Sequence, residues 1–464
     1  MICNSVCFLR LADFWQYCER NSFLLFYFLA KYRFRRWNSK DILKYQESRI
    51  RNRVRFVIAR SEFYRRHYSG YDTSDIWNLP VTSKAVMMEN LTHFNTCSLG
   101  KDEILEFCLE AERTRDFSKR LKGVNVGMSS GTSGNKGVEI TGKNEENLMR
   151  AAFFARFSFP KKQKINLAFI LRVTSPAFAL NRFGHRLTYI TQLDSIENIV
   201  QKLNDQQPNI ISAPPSMLKI LAREEEEGRL TVNPLKLVSY AEVLYPDVRD
   251  YLRRVFNCEL HEIYKCSEGA IAITCRYGSL HVNEDMVAIQ LLNSDGSPTA
   301  PGNPCHKLII TDLHKSTLPI IRYELNDIIT LNTERCRCGS HFRVIEKIQG
   351  RADDLFWGLR KADKSRHFIY QDYISRTIIS VSNQIEEFQA IQKGYEHIIL
   401  RIKLYPVTEM VEKMEIKETL ISSIRKVFTD YNCIEPQVEV IFAEPLKNIN
   451  SGKLSRVICE IKDV

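Results

Sequence analysis

A chain of 464 residues with 44% hydrophobic and 26% charged side chains has globular composition and apolar material for more than one core, which excludes a fibrous or intrinsically disordered protein. Its 66 lysines and arginines against 55 acidic residues give a net charge of +11, which favours anionic ligands without choosing among nucleotide, coenzyme, acidic protein or membrane surface. Thirteen widely spaced cysteines, an odd number, exclude a small secreted disulfide scaffold and point to a reducing, cytoplasmic setting.

In chain order, the first apolar stretch, at 23–30, is too short to span a bilayer and reads as a helix that is buried or faces a partner, so no transmembrane segment is expected. Basic clusters at 31–36 and 49–55 read as solvated helix faces rather than a nucleic-acid-binding tail. Over about 40–70, Ile42, Leu43, Tyr45, Ile50, Val54, Val57 and Ile58 recur at helical spacing among charges, and this amphipathic helix ends before Tyr68-Ser69-Gly70.

Next comes the run Ser129-Ser130-Gly131-Thr132-Ser133-Gly134-Asn135-Lys136-Gly137. Glycines let backbone approach a ligand closely, and hydroxyls and free N–H groups supply donors, so the run reads as a loop around a polyanion such as triphosphate. A mobile surface linker is the competing reading. Val138-Glu139-Ile140 after it suggests a loop between strands, and the P-loop spacing GxxxxGK[ST] is absent.

From about 165, short apolar runs at 165–171, 210–212, 236–239 and 260–264 alternate with charged helical segments, which predicts α/β layers with largely parallel sheets and ligand sites at strand ends. After about 280, strand pairs with turns at 293–298 and 299–302 suggest a smaller β-rich subdomain. From about 354 a separate α+β unit follows, with a Glu/Lys-rich helix near 411–430 and strands near 397–404 and 437–443. The predicted architecture is α/β: a large N-terminal domain over 1–350, including a helical N-terminal segment and the β-rich subdomain at about 280–350, then a small mobile α+β lid over 351–464.

The motifs taken together resemble the adenylate-forming superfamily of acyl-CoA synthetases, peptide synthetase adenylation domains and luciferases, and within it the phenylacetate-CoA ligase group and its deazaflavin-coenzyme-adenylylating relatives. The resemblance covers roughly 45–460. It implies that Ser129, Ser130, Gly131, Thr132, Ser133, Gly134 and Lys136 bind the β- and γ-phosphates. Here Gly134-Asn135-Lys136-Gly137 is one residue shorter than the Gly-x-Pro-Lys-Gly of many members. Ser239-Tyr240-Ala241-Glu242 resembles the turn beside the adenine and acyl pockets, with Ala241 and Glu242 as pocket residues and a plain polar strand end as the alternative.

Tyr264-Lys265-Cys266-Ser267-Glu268 resembles the aromatic-x-x-hydroxyl-Glu motif, which implies Tyr264 on adenine, Ser267 on a phosphate oxygen and Glu268 on Mg²⁺. Arg322-Tyr323-Glu324-Leu325-Asn326-Asp327 resembles the signature whose aspartate, Asp327, accepts from both ribose hydroxyls; Arg322 would otherwise pair with a neighbouring carboxylate. Gly350-Arg351-Ala352-Asp353-Asp354 resembles the family linker, with Arg351 on ribose or phosphate and Asp353 as the hinge about which the lid rotates between half-reactions. The segment at 445–456 resembles the C-terminal signature, making Lys453 the catalytic lysine that neutralises developing charge, with Lys447 as its fallback.

A further set, Cys275, His281, Cys336 and Cys338, offers three thiolates and an imidazole, the donors of a closed tetrahedral zinc site that is structural rather than catalytic; isolated core thiols are the alternative. The phenylacetate-CoA ligase group often has cysteine and histidine at matching places. The expected function is ATP-dependent activation of a carboxylic acid as an acyl-adenylate, with Mg²⁺, then transfer to coenzyme A or a carrier-protein thiol. Aromatic acids are suggested by the resemblance, and Phe169, Phe178 and Phe183 either line the pocket or fill the core. Two rivals stay open: AMP transfer to a deazaflavin-type hydroxyl, and a degenerate scaffold. A zinc-containing nucleic-acid binder explains neither Asp327 nor Lys453, so no nucleic-acid partner is expected.

Overall fold

The computed structural model describes residues 23–114, 116–128, 137–157, 163–171, 185–191, 194–351, 355–369, 374–375, 377–378, 381–382, 384–406, 409–447 and 454–461. The chain divides into two compact units: Met1–Ser129, Lys136–Leu325 and Thr330–Lys347 make the first, and Ser130–Asn135, Asn326–Ile329 and Ile348–Val464 the second.

The first unit begins with helices Phe23–Arg36 and Ser39–Arg60. Asn38 caps the second: its side chain accepts from the backbone N–H of Lys40 and Asp41, and Asp41 returns a bond to the Asn38 N–H, which satisfies donors that a helix start otherwise leaves open. This helix buries Ile42, Ile50, Val54 and Val57 at helical spacing, as the sequence predicts. Its basic cluster is not wholly solvated: Arg49 and Arg53 are buried, with their guanidiniums over Tyr45 and Phe56 at 5.1 and 4.6 Å. The apolar stretch at 23–30 is buried on one face only, at Phe26 and Ala30, and leaves Leu24 and Phe28 exposed.

Strands β1 (Asn125–Met128) and β2 (Val138–Thr141) pair antiparallel on either side of the Ser/Thr/Gly run, the loop-between-strands arrangement that Val138 and Ile140 suggest. The main sheet of this unit takes β3 (Asn166–Leu171), β4 (Arg186–Thr191), β5 (Ile210–Ala213), β6 (Lys236–Tyr240), β7 (Glu259–Lys265), β8 (Ala270–Thr274) and β9 (Leu280–Val282). From β4 through β3, β5 and β6 to β7 every pairing is parallel. Helices Ile196–Gln206, Pro215–Glu226 and Pro246–Phe256 make the crossovers. Strands covered on both faces are largely apolar, and β5 is wholly buried and β6 nearly so, with Ser212, Lys236 and Ser239 the buried polar residues among them. Ala168, Ile170, Ile211 and Leu237 from the sheet share one core with Leu218, Leu221 and Leu252 from the helices.

The parallel pattern ends at β7, where the chain turns back at once and β8 and β9 add antiparallel. The region after 280 forms a sheet of its own only in part: β10 (Val287–Leu292), β11 (Lys307–Asp312) and β12 (Tyr323–Leu325) pair with one another. Later come β13 (Asp327–Leu331) and β14 (Val344–Arg351), whose residues fall in both units, and β14 pairs with β9 and so extends the main sheet.

The second unit holds the hairpin β15 (Phe356–Leu359) and β16 (Arg366–Ile369), then β17 (Ile385–Gly394), β18 (His397–Leu404), β19 (Gln437–Phe442) and β20 (Val457–Cys459) in the order β19-β18-β17-β20. Helix Met410–Asp430 buries Ile416, Leu420, Ile424 and Phe428 at a four-residue spacing against Phe388, Leu400 and Val440 of this sheet. Gly358 is where the packing is tightest, because a Cβ there would stand 2.7 Å from Cys433 Sγ. Gly358→Ala is expected to destabilise this unit by about 1–3 kcal/mol, read as a lower denaturant midpoint at unchanged slope.

Candidate functional site

Ala241 and Glu242 follow the carboxyl end of β6, and Ser267 and Glu268 follow that of β7. At the end of β6, Ala241 takes a left-handed φ of +68°, a conformation that costs a non-glycine residue about 1 kcal/mol and sharply redirects the chain. The next side chain, Glu242, accepts from both the backbone N–H and Oγ of Ser216 at 3.1 Å, in the first turn of helix Pro215–Glu226. A carboxylate at a helix start is electrostatically favoured there. Tyr240 stacks on Phe169 with ring centroids 5.1 Å apart, and its hydroxyl donates to the Ile170 carbonyl. Burial holds that phenol well above its ordinary range.

At the end of β7 the chain reverses through Cys266 to Gly269, closed by the Cys266 N–H donating to the Gly269 carbonyl at 3.0 Å. Tyr264 pairs with Ala272 of β8, with an irregularity in register between Tyr264 and Lys265. The Ser267 carbonyl accepts from the buried Lys315 ammonium at 2.8 Å. Glu268 is 9% exposed, and the Tyr323 hydroxyl donates to its Oε1 at 3.0 Å. Burial and the neighbouring Glu268 charge push the Tyr323 phenol far up, so it remains a donor. Asp312 accepts from the backbone N–H groups of His314 and Lys315 at 2.8 and 2.7 Å, and its burial raises its carboxyl above the usual range.

Arg322, at φ +45°, donates to the Gln290 amide oxygen at 2.7 Å rather than to a carboxylate. Asp327 opens β13 in the second unit, and Arg351 closes β14 after Gly350, whose φ of +113° suits glycine. Ser129, Ser130, Gly131, Thr132, Ser133, Gly134 and Lys136, together with Asp353, Lys453, Phe178 and Phe183, lie outside the described residues, as does the Arg351 side chain. Lys447 is described and exposed. The structure thus places Ser267 and Glu268 with Tyr323 and Lys315 in one cluster, and Glu242 on a helix start. Sequence reasoning gave no role to Lys315 or Tyr323, although Tyr323 follows Arg322 inside a quoted motif. Lys315 carried no signal beyond its place four residues before Pro319.

Elsewhere in the first unit, Cys275, His281, Cys336 and Cys338 meet, their ligand atoms all within 4.8 Å of one another. Cys275 Sγ lies 3.6 Å from Cys336 Sγ, and Cys338 Sγ lies 3.3 Å from His281 Nε2. These are separations that ligands of one tetrahedral zinc ion have, given bonds of about 2.0–2.3 Å. His281 Nδ1 is engaged by the Phe342 carbonyl at 2.8 Å, which directs Nε2 to the sulfurs. The backbone N–H groups of Tyr277, Cys338 and Ser340 point at sulfur, a polarity that favours thiolates. Hydrogen bonds from Cys338 and His281 hold the Cys275 thiol well below its usual range. The donor set fits a structural zinc.

No family model matches the sequence. The chain is 23% identical over 369 residues to a phenylacetate-coenzyme A ligase of Thermus thermophilus, an alignment covering 75% of this chain and 77% of that one. To the protein CapK of Staphylococcus aureus it is 25% identical over 211 residues, spanning 45% of this chain and under half of CapK, 44%. In three dimensions it superposes on 2-hydroxyisobutyryl-CoA ligase, solved in the postadenylation state in complex with R3-HIB-AMP, with a TM-score of 0.68 at 15% identity over 92% of this chain and 91% of that one. The fold is therefore the one that this ligase has, and the sequence resembles phenylacetate-coenzyme A ligases, as the motifs lead one to expect.

Tyr323→Phe keeps the buried ring and removes the donor to Glu268, so it is expected to cost about 1–3 kcal/mol of stability, read by chemical denaturation, without loss of the fold.

Proposed function

We propose that this chain uses ATP to activate a carboxylic acid as an acyl-adenylate and passes the acyl group to a thiol, that of coenzyme A or of a carrier protein. The observation that carries the reading is the buried Glu268 carboxylate, oriented by Tyr323 at the carboxyl end of a parallel sheet, in a fold shared with a CoA ligase solved in complex with R3-HIB-AMP. A carboxylate is a poor electrophile until its oxygen carries a good leaving group. Its oxygen attacks the α-phosphorus in line, pyrophosphate departs, and the mixed anhydride that remains is open to a thiol.

In this reading the Ser129–Lys136 run cradles the phosphates, Tyr264 stacks on adenine, Ala241 shapes the pocket wall, Ser267 donates to a phosphate oxygen, Asp327 accepts from ribose and Arg351 contacts ribose or phosphate. Glu268 would hold Mg²⁺, which supplies charge neutralisation to the departing pyrophosphate. Lys453 brings a cation to the oxygens that gain charge, and Asp353 is the pivot between half-reactions. The Cys275, His281, Cys336 and Cys338 set would hold zinc as a staple, closed to substrate.

Exchange of labelled pyrophosphate into ATP across aryl, fatty, hydroxy and amino acids tests the reading: exchange with one class of acid is expected, and silence across the panel with ATP binding intact would turn belief to transfer of AMP to a coenzyme hydroxyl or to a scaffold. Lys453→Ala is expected to slow adenylate formation on the order of 100-fold while sparing thioester formation from supplied acyl-adenylate, as single-turnover assays of each half would report. Cys336→Ser or Cys338→Ser is expected to lower zinc content, by elemental analysis, and melting temperature together.

A further inference from the structure

Lys265, at the very end of β7, adjoins the turn that carries Ser267 and Glu268, and its side chain leaves the sheet to meet a different element. Both oxygens of Glu139 lie within reach of its ammonium, at 3.1 and 3.0 Å, and the Cys266 carbonyl lies at 3.4 Å. A register irregularity falls between Tyr264 and Lys265, the kind of local break that commonly re-aims side chains beside functional sites. Glu139 belongs to β2, on the face away from the buried Val138 and Ile140, and stands three positions after Lys136 of the Ser/Thr/Gly run. The same strand is fastened once more, by Thr317 Oγ1 donating to the Ile140 carbonyl at 2.7 Å.

We infer that Lys265 and Glu139 form a positioning clamp, which fixes β2 against the turn that carries Ser267 and Glu268, so that this turn is already set when MgATP arrives. The inference rests on the proposed nucleotide site and adds to it two residues with no assigned role. Neither touches the nucleotide; they act through what they hold. A half-exposed ion pair, with the two side chains 30% and 29% exposed, contributes little to global stability, whereas a small displacement of a phosphate-binding segment weakens every contact it makes.

The test is the affinity of the full chain for MgATP by titration calorimetry, with melting temperature recorded alongside. Lys265→Met and Glu139→Gln are each expected to weaken MgATP binding about tenfold with little change in melting temperature. Lys265→Arg should stay near wild type, and the reversed pair Lys265→Glu with Glu139→Lys should recover most of the loss. In pyrophosphate exchange, the KM for ATP should rise with the KM for the acid unmoved. Unchanged MgATP affinity in both single variants, or a fall in melting temperature without a change in affinity, overturns the clamp. Wild-type binding of MgATP without exchange for any acid overturns the acid-activating reading alone, and wild-type failure to bind MgATP overturns both.

Discussion

A buried ammonium holding a backbone carbonyl is the interaction on which the geometry of this site depends. Lys315, 5% exposed, donates to the Ser267 carbonyl at 2.8 Å, and that bond fixes the turn together with its own closure and the Tyr323 contact on Glu268. Burying a charge is expensive unless it is satisfied, so the chain accepts the cost where orientation matters. Asp312 stands on the same loop, binds the Lys315 backbone N–H and supplies the opposite charge close by. Glu145, in the first turn of helix Lys143–Arg156, joins the system by accepting from the backbone N–H groups of Ser316 and Thr317 at 2.6 and 2.9 Å. The 312–317 loop is thereby a rigid post against which the Glu268 turn is set.

How the sheet changes direction explains why the post is there. Parallel strands from β4 to β7 need long crossovers, and their carboxyl ends open toward connecting loops where ligands can sit. At β7 the crossover gives way to a tight reversal, so β8 returns beside its predecessor and the reversal itself is left at the rim. Ser267 and Glu268 occupy that reversal, and Tyr323 and Lys315, which come from the segment between β11 and the start of β12, close over it.

The legible part of this architecture was the part with periodicity or punctuation. The strands at 166–171, 210–213 and 236–240 announced themselves as apolar runs, and helix Met410–Asp430 by its richness in Glu and Lys. The metal-type donor set was also readable, because thiols and an imidazole in the pairs Cys275/His281 and Cys336/Cys338 carry a chemistry of their own. What local sequence hides is any contact made across hundreds of positions. Arg53 looked like a solvated charge and instead donates to Ser316 Oγ at 2.9 Å, 263 positions away. Lys265 and Glu139 are separated by 126 positions, and nothing near either one announces the other.

The Cys and His set has a further meaning in the language of chain entropy. His281 and Cys336 are about 55 residues apart, and tying them shortens the set of conformations open to the unfolded chain by about 3–4 kcal/mol, growing only slowly with loop length. An ion bound there acts as a removable cross-link around β10, β11 and β12, the segment that delivers Lys315 and Tyr323. Unlike a disulfide, such a link survives in a reducing medium and comes undone by chelation. The order in which this segment condenses would then follow the supply of metal.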